Sequence, residues 1–446
     1  MKRSIEDDSD VDSCLKRDRQ EWPAAEAAMA AARSFIEDAA KTNGSVLLCP
    51  DKDADGLSAG VIMYRTLTRL GLDPSQIQVH LLSKGTSLFS ETERSSISQK
   101  APGHIIVLDQ GSCRAPALLH GVPTLILDHH YSTAFPDDAV ICSAALHEPI
   151  ATTALLTYEL CSAYWSDAID GIGYLAVIGT VGDLGASVKW TAPFPSHLGL
   201  LAKELGRKNF TDAVGLINAP RRSSAYNVSE AWLSLLTTEA PSQILHFSTN
   251  VHLGSLVTAR DEVADEVDRV GRTAPLWSQD KRTACFVISS PCQVHPLVAT
   301  RWCFLHSKDL EVVMCANKGY MKGKVHFSCR IPKHRRKDDG TANAVNLQEI
   351  LKGYAKLDDE LWNKLRIGQG GSFAQGHREA SGGVLDLATW DMLYAAMGIG
   401  QATRRKVNQP VPVQRNTLTN YFGKLDANTT AEAVTSDVPG EDLRAP

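Results

Sequence analysis

Six aspartates and two histidines, in four short clusters, are the residues whose types and spacing could do chemistry. Asp51, Asp53 and Asp55 alternate along Asp51-Lys52-Asp53-Ala54-Asp55-Gly56. Asp109 heads Asp109-Gln110-Gly111, Asp128 precedes His129 and His130, and Asp183 follows Gly179-Thr180-Val181-Gly182. A lone aspartate after a strand is usually a turn or helix cap. Four such groups with two adjacent histidines exceed what capping explains. Carboxylates this close repel unless cations neutralise them. Converging Asp and His suit two divalent ions, Mn²⁺ or Mg²⁺, which prefer oxygen; Mn²⁺ also accepts imidazole.

The flanking segments say how these residues could meet. Residues 44–49 are short, apolar and partly β-branched, the pattern of a buried strand, and 57–70 read as a helix. Further strands are expected at 77–82, 104–108 and 123–127, and helices at 22–41, 151–165 and 171–181. Continuous apolar strands alternating with helices imply an α/β fold with a parallel sheet covered on both faces. Three of the clusters directly follow strands, so they reach the carboxyl edge of one sheet, where open α/β sheets place their ligands. Asp51, Asp53 and Asp55 would point the same way if the chain stays extended.

The 446 residues, 43% hydrophobic and 22% charged, are those of a globular chain of two or three domains. The net charge of −5 argues against a generally basic nucleic-acid coat but leaves room for a local basic groove. No apolar run is long enough for a membrane span, and the first residues lack a signal peptide's apolar core. Ten scattered cysteines with no C-x-x-C pair point to a reducing compartment, cytoplasmic or nuclear. Residues 1–20 are charged and aperiodic, expected to be disordered, and carry two small basic clusters compatible with a nuclear signal.

In their order, Asp-x-Asp-x-Asp-Gly, Asp-x-Gly, Asp-His-His and Gly-Thr-Val-x-Asp resemble the four motifs of the DHH phosphoesterases, closest to the RecJ-type branch. Asn218-Ala219-Pro220-Arg221-Arg222 is similar to the Asn-Ala-x-x-Arg segment of that branch, with Arg221 where a small residue is usual. Ser328-Cys329-Arg330 and the stretch from Gly370 to Gly383 resemble the Ser-x-Arg and Gly-Gly…Gly-His signatures of the accessory DHHA1 domain. Here Ser372 to Gln375 lengthen the second signature. The resemblance covers roughly residues 40–400. It implies a DHH catalytic domain over 21–245, a linker helix within 246–275, a DHHA1 domain over 276–400 and a cleft between the two.

The expected reaction is metal-dependent hydrolysis of a phosphodiester, most simply by an exonuclease on single-stranded DNA or RNA. Asp109 and Asp183 are the expected shared ligands, with Asp51 and Asp53 on one ion and Asp55 and His129 on the other. His130 would face the phosphate or leaving oxygen, with Asp128 orienting a histidine. Asn218, Arg222, Ser328, Arg330, Gly376 and His377 would contact substrate, with Arg301 and His295 on a helix facing the same loop. Lys333 to Lys337 form a basic run that is either a solvated loop or a backbone contact. In the tail, expected to be disordered over 401–446, Leu418, Tyr421 and Phe422 have the spacing of a peptide that binds the sliding clamp PCNA. Two other readings stay open: a hydrolase of short oligonucleotides or small nucleotides, and a non-catalytic replication scaffold.

Overall fold

The computed structural model describes residues 21–336, 345–368, 371–376 and 380–400. His377 and the clamp-type residues Leu418, Tyr421 and Phe422 lie outside them, as do the two terminal segments. Helix α1 (Glu26–Ala40) leads into strand β1 (Val46–Pro50) and helix α2 (Ala54–Arg69). Strand β2 (Ile77–Val79), helix α3 (Glu91–Gln99), and strands β3 (His104–Leu108), β4 (Thr124–Asp128) and β5 (Ala139–Ser143) follow. The five strands form one sheet in the order β2-β1-β3-β4-β5, every pair parallel. The fold class is therefore α/β, as the alternation of strands and helices implied.

Side-chain period explains why these strands read as unbroken apolar runs. Val46, Leu48, Ile106, Leu108, Leu125 and Leu127 face one core; Leu47, Cys49, Ile105, Val107 and Ile126 face the other. Helices α4 (Thr153–Cys161) and α5 (Tyr174–Leu184) cover the first core beside α2. Helix α6 (Arg207–Asn218) packs on α5 and ends at the Asn-Ala segment. The edge strand β5 was not expected, although Ala139-Val140-Ile141-Cys142 is a short apolar run; at the sheet's edge most of its residues are only partly buried.

Helix α7 (Leu253–Val270) joins this half to a second sheet. That sheet contains β6 (Leu276–Trp277), β7 (Thr283–Ile288), β8 (Val312–Asn317), β9 (Lys324–Arg330), β10 (Gly371–Gly376) and β11 (Ala380–Asp386). Its order is β10-β11-β9-β8-β7-β6, and only β7 and β8 pair in parallel. The two halves touch near the end of the first sheet. Lys84 donates to the carbonyls of Ser224 (3.2 Å) and Pro291 (2.9 Å), and the Gln293 N–H donates to the Arg222 carbonyl at 2.7 Å. Among the described residues no helix is long and apolar enough to cross a membrane.

Glycines set how closely the helices approach the acids. A Cβ on Gly56 would stand 2.7–2.9 Å from the backbone of Asp51, so only glycine lets the loop fold back there. A Cβ on Gly179 in α5 would stand 2.3 Å from the Cβ of Ala154 and 2.6 Å from Asp55 Oδ1. Gly179→Ala should therefore cost about 1–3 kcal/mol of stability, as overpacking does. In urea unfolding the midpoint should fall with the slope unchanged; a midpoint equal to that of the parent would contradict this packing.

Candidate metal centre

The first acidic cluster does not stay extended. Helix α2 begins at Ala54, three residues earlier than expected, because Asp53 caps it: its Oδ1 accepts the Gly56 N–H at 3.2 Å. Asp51 therefore sits in the loop, Asp53 at the cap and Asp55 in the first turn, and the three do not point the same way. Asp55 is 2% exposed and turns into the helix layer, where it accepts N–H groups of Thr153 (2.7 Å) and Ala154 (2.9 Å) at the start of α4.

Asp109 follows β3 in the left-handed region, φ +64°, a conformation that costs energy for a residue with a Cβ. There its Oδ1 accepts the Thr153 hydroxyl at 2.9 Å and lies 3.3 Å from His129 Nε2. His129 Nε2 is also 3.7 Å from Asp183 Oδ2 near the end of α5. Asp128, the last residue of β4, is buried and ties down the loop after it. Its Oδ1 accepts the backbone N–H of His129 (2.8 Å) and His130 (3.1 Å), and its Oδ2 that of Ser112 (3.1 Å). His130 Nδ1 lies 2.8 Å from Asp128 Oδ1, which fixes the imidazole and directs Nε2 away.

Among the described residues two groups have ligand atoms within 4.8 Å of one another: Asp51, Asp53 and Asp109, and Asp109 with His129 and His130. Asp109 is common to both. Asp55, expected beside His129, is in neither group: its carboxylate accepts the N–H groups at the start of α4, and His130 stands beside His129. Asp183 meets His129 but joins neither group, and its side chain is 41% exposed.

The expected substrate residues divide. Asn218 is buried, and its Oδ1 accepts the Ala54 N–H (3.1 Å) and the Arg221 Nε–H (3.2 Å), so it braces the loop that carries Asp53. Ser328 and Arg330 lie on one face of β9, with Arg330 Nη1 donating to the Ser328 hydroxyl at 2.7 Å. Gly382 of β11 pairs with Ser328, and Gly376 with Ser381, so the glycine-rich hairpin and Ser-x-Arg share a sheet. Arg301, expected to face that hairpin, is instead paired with Asp268 of α7 at 2.8 Å, since the C-terminal end of its short helix (His295–Arg301) faces the linker. The Arg222 carbonyl joins the two halves through Gln293. Sequence reasoning missed Thr153 and assigned no role to Lys52 or Arg221. Arg221 Nη2 is 3.6 Å from Asp53 Oδ2, and Lys52 Nζ 3.6 Å from Asp51 Oδ1. Only the departure of Arg221 from the small residue usual there could have drawn attention to it.

The electrostatics are those of crowded anions. Burial, then the charge of Asp183, pushes Asp55 up to about 8. Burial and the charges of Asp55, Asp53, Asp51 and Asp128 raise Asp109 well above the carboxylate range. For Asp53 burial opposes ionisation, but Arg221, the Gly56 N–H, Asp109 and Lys52 outweigh it and hold the pKa low. Burial lowers His129 despite Asp183, which favours the neutral form in which imidazole ligates metals. Burial would lower His130 too, but its bond to Asp128 and the charges of Asp128, Asp183 and Asp53 raise it to about 9. A set of hard oxygen donors with one or two imidazoles, unable to ionise together without a counter-charge, fits Mn²⁺ or Mg²⁺.

Neither the comparison with family models nor that with curated proteins gives a match. Solved structures do match. One is RecJ in complex with Mn²⁺ from Thermus thermophilus: 18% identity, TM-score 0.56, 83% of this chain and 54% of that one. The fold is shared with RecJ. A second is an exonuclease RecJ bound to manganese, at 19% identity and TM-score 0.54 over 83% of this chain and 93% of that one. A third is the DHH domain of a protein assigned to a family of ribosomal proteins, at 14% identity and TM-score 0.59 over 87% and 98%. The chain thus spans about half the length of the Thermus RecJ.

A carboxyl whose folded pKa lies above its unfolded one favours folding while protonated. That contribution is full below about pH 4 and lost as pH rises through the folded value. Because Asp55 and Asp109 are both raised, the metal-free protein should lose less stability from about pH 5 to about pH 8 once Asp55 is replaced by Asn; the buried His80, His295 and His326, whose lowered values act the other way, do so equally in parent and variant. Mn²⁺ should raise the melting temperature more at the higher pH. A melting temperature in chelator that changes between the two pH values by the same amount in the parent and in Asp55→Asn, or an equal manganese shift at both, would contradict this assignment of charge.

Proposed function

We propose that the protein is a divalent-metal-dependent phosphodiesterase that cleaves single-stranded nucleic acid from an end. The observation that carries this reading is the sharing of Asp109 by two ligand groups at the carboxyl edge of the parallel sheet. Asp51 and Asp53 would hold one ion, His129 the other, and Asp109 both, with Asp183 close enough to join through His129. Bound there, the ions supply an acidified water as nucleophile and a sink for phosphate charge.

The chain's own residues do the rest. Thr153 holds Asp109 in place through its hydroxyl, and Asp128 fixes the ring of His130 so that Nε2 can give a proton to the leaving oxygen. Lys52 and Arg221 stand beside the acids, where they can attract a phosphate as the ions neutralise Asp51 and Asp53. Ser328 and Arg330 on β9, with the glycine-rich hairpin beside them, are suited to an anionic oxygen, and Arg330 offers a planar pair of donors. The solved RecJ structures with the same fold hold Mn²⁺, which supports the choice of ion. The C-terminal Leu418, Tyr421 and Phe422 would add a contact with a sliding clamp, a reading that rests on their spacing alone.

End-labelled single strands incubated with Mn²⁺, Mg²⁺ or chelator test the reading. Products one nucleotide long should form with either metal and not with chelator. Asp53→Ala combined with His129→Ala should lower the rate at least about 10²–10³-fold. Asp128→Asn should lower it about 10–100-fold while leaving the fold intact. Turnover that survives the double substitution would remove the proposed function.

A further inference from the structure

A cavity of about 320 Å³ opens directly beside the metal centre, and the phosphodiester chemistry does not account for most of its wall. Its charged lining residues are Asp51, Lys52, Asp109, Asp128 and His130, all of the acid cluster or adjoining it. The remainder is uncharged. Leu82, Leu88 and Phe89 come from the segment between β2 and α3, with Thr86 and Ser87 between them. Leu82 and Leu88 are buried in the second core of the sheet, and Phe89 is half-buried against it. One end of the space therefore suits a phosphate held by cations, and the other an uncharged group with an apolar face.

This wall is built, not an accident of a loose loop. Glu93, the third residue of α3, is 1% exposed and gathers the segment from beneath. Its Oε1 accepts the Ser83 N–H at 3.0 Å and the Thr86 hydroxyl at 2.7 Å, and its Oε2 lies 2.7 Å from Nε2 of the buried His80. Ser90 caps α3 through the Glu93 N–H. From above, Lys84 is bonded to the Ser224 and Pro291 carbonyls and lies over the Tyr320 ring at 4.6 Å. The segment is held from both sides before any ligand arrives, which removes ordering cost from binding.

Resting on the phosphodiesterase reading, we propose that this cavity is a nucleobase subsite for the nucleotide joined directly to the scissile phosphate. In a nucleic-acid strand the group next to a phosphate is a sugar carrying a flat, uncharged base. At about 320 Å³ the cavity lies at the lower end of the ~300–1,000 Å³ range of small-molecule sites, a size that suits one nucleoside. Phe89 supplies the ring on which a base can stack, and stacking tolerates any base because each has a π face. The subsite therefore aligns the phosphate beside Asp109 without reading sequence.

Single-turnover cleavage of the terminal bond, in Mn²⁺, on strands with one abasic residue placed at each position in turn, tests this with the full chain. The missing base should lower kcat/KM about tenfold or more at one position next to the scissile phosphate and little elsewhere. Phe89→Ala should cost a similar factor on the intact strand and shrink the difference between intact and abasic strands to below about twofold. Phe89→Trp should restore that difference, which a merely misfolded loop would not allow. Cleavage indifferent to the missing base at every position, or equal loss on both strands in Phe89→Ala, would overturn the subsite and leave the phosphodiesterase reading standing. No hydrolysis of any strand would overturn both.

Discussion

Mutual repulsion of buried carboxylates is the constraint on which this structure turns. Asp55 and Asp109 are almost fully removed from water; the charges of Asp183 and Asp53 add to the cost of ionising Asp55, and those of Asp55, Asp53, Asp51 and Asp128 to that of Asp109. A fold that gathers such groups must hold them by many bonds and leave the charge to be met by something else. The holding is visible in every element around them. The start of α4 gives two N–H groups to Asp55, the Thr153 hydroxyl fixes Asp109, and three backbone N–H groups fix Asp128. Arg221 and Lys52 offset part of the charge at Asp53 and Asp51. The rest suits divalent cations.

The parallel sheet makes this convergence possible. Because every strand runs the same way, residues that follow β1, β3 and β4 emerge together although they are far apart in sequence. The left-handed backbone at Asp109 is the local strain this arrangement stores, and it places the one carboxylate shared by both ligand groups. The second sheet then supplies a different face. Ser328 and Arg330 lie on one side of β9, while Val325, Phe327 and Cys329 enter the core on the other.

Much of this was legible in the residues. The continuous apolar strands, the acids directly after them and the alternation with helices were enough to give the α/β class and bring the clusters to one edge. What the pattern hid was decided at shorter range. Period two made Asp51, Asp53 and Asp55 equivalent, but a cap at Asp53 started the helix early and sent Asp55 toward α4. Arg301 matched a ligand-facing arginine in type, and only its pairing with Asp268 shows where its charge is met. Thr153 gave no signal beyond that of an ordinary helix start. Strand β5 was passed over although Ala139 to Cys142 are apolar, a run of four with no acidic cluster directly after it. The cavity under Phe89 could not be read at all, since it depends on how Glu93 folds the preceding segment.

Diffraction from crystals soaked in Mn²⁺, recorded at the manganese absorption edge, tests the central claim most directly. Two anomalous peaks, both in contact with Asp109 and divided between the Asp51–Asp53 side and the His129 side, are the predicted result. Peaks elsewhere, or none beside Asp109, would contradict it.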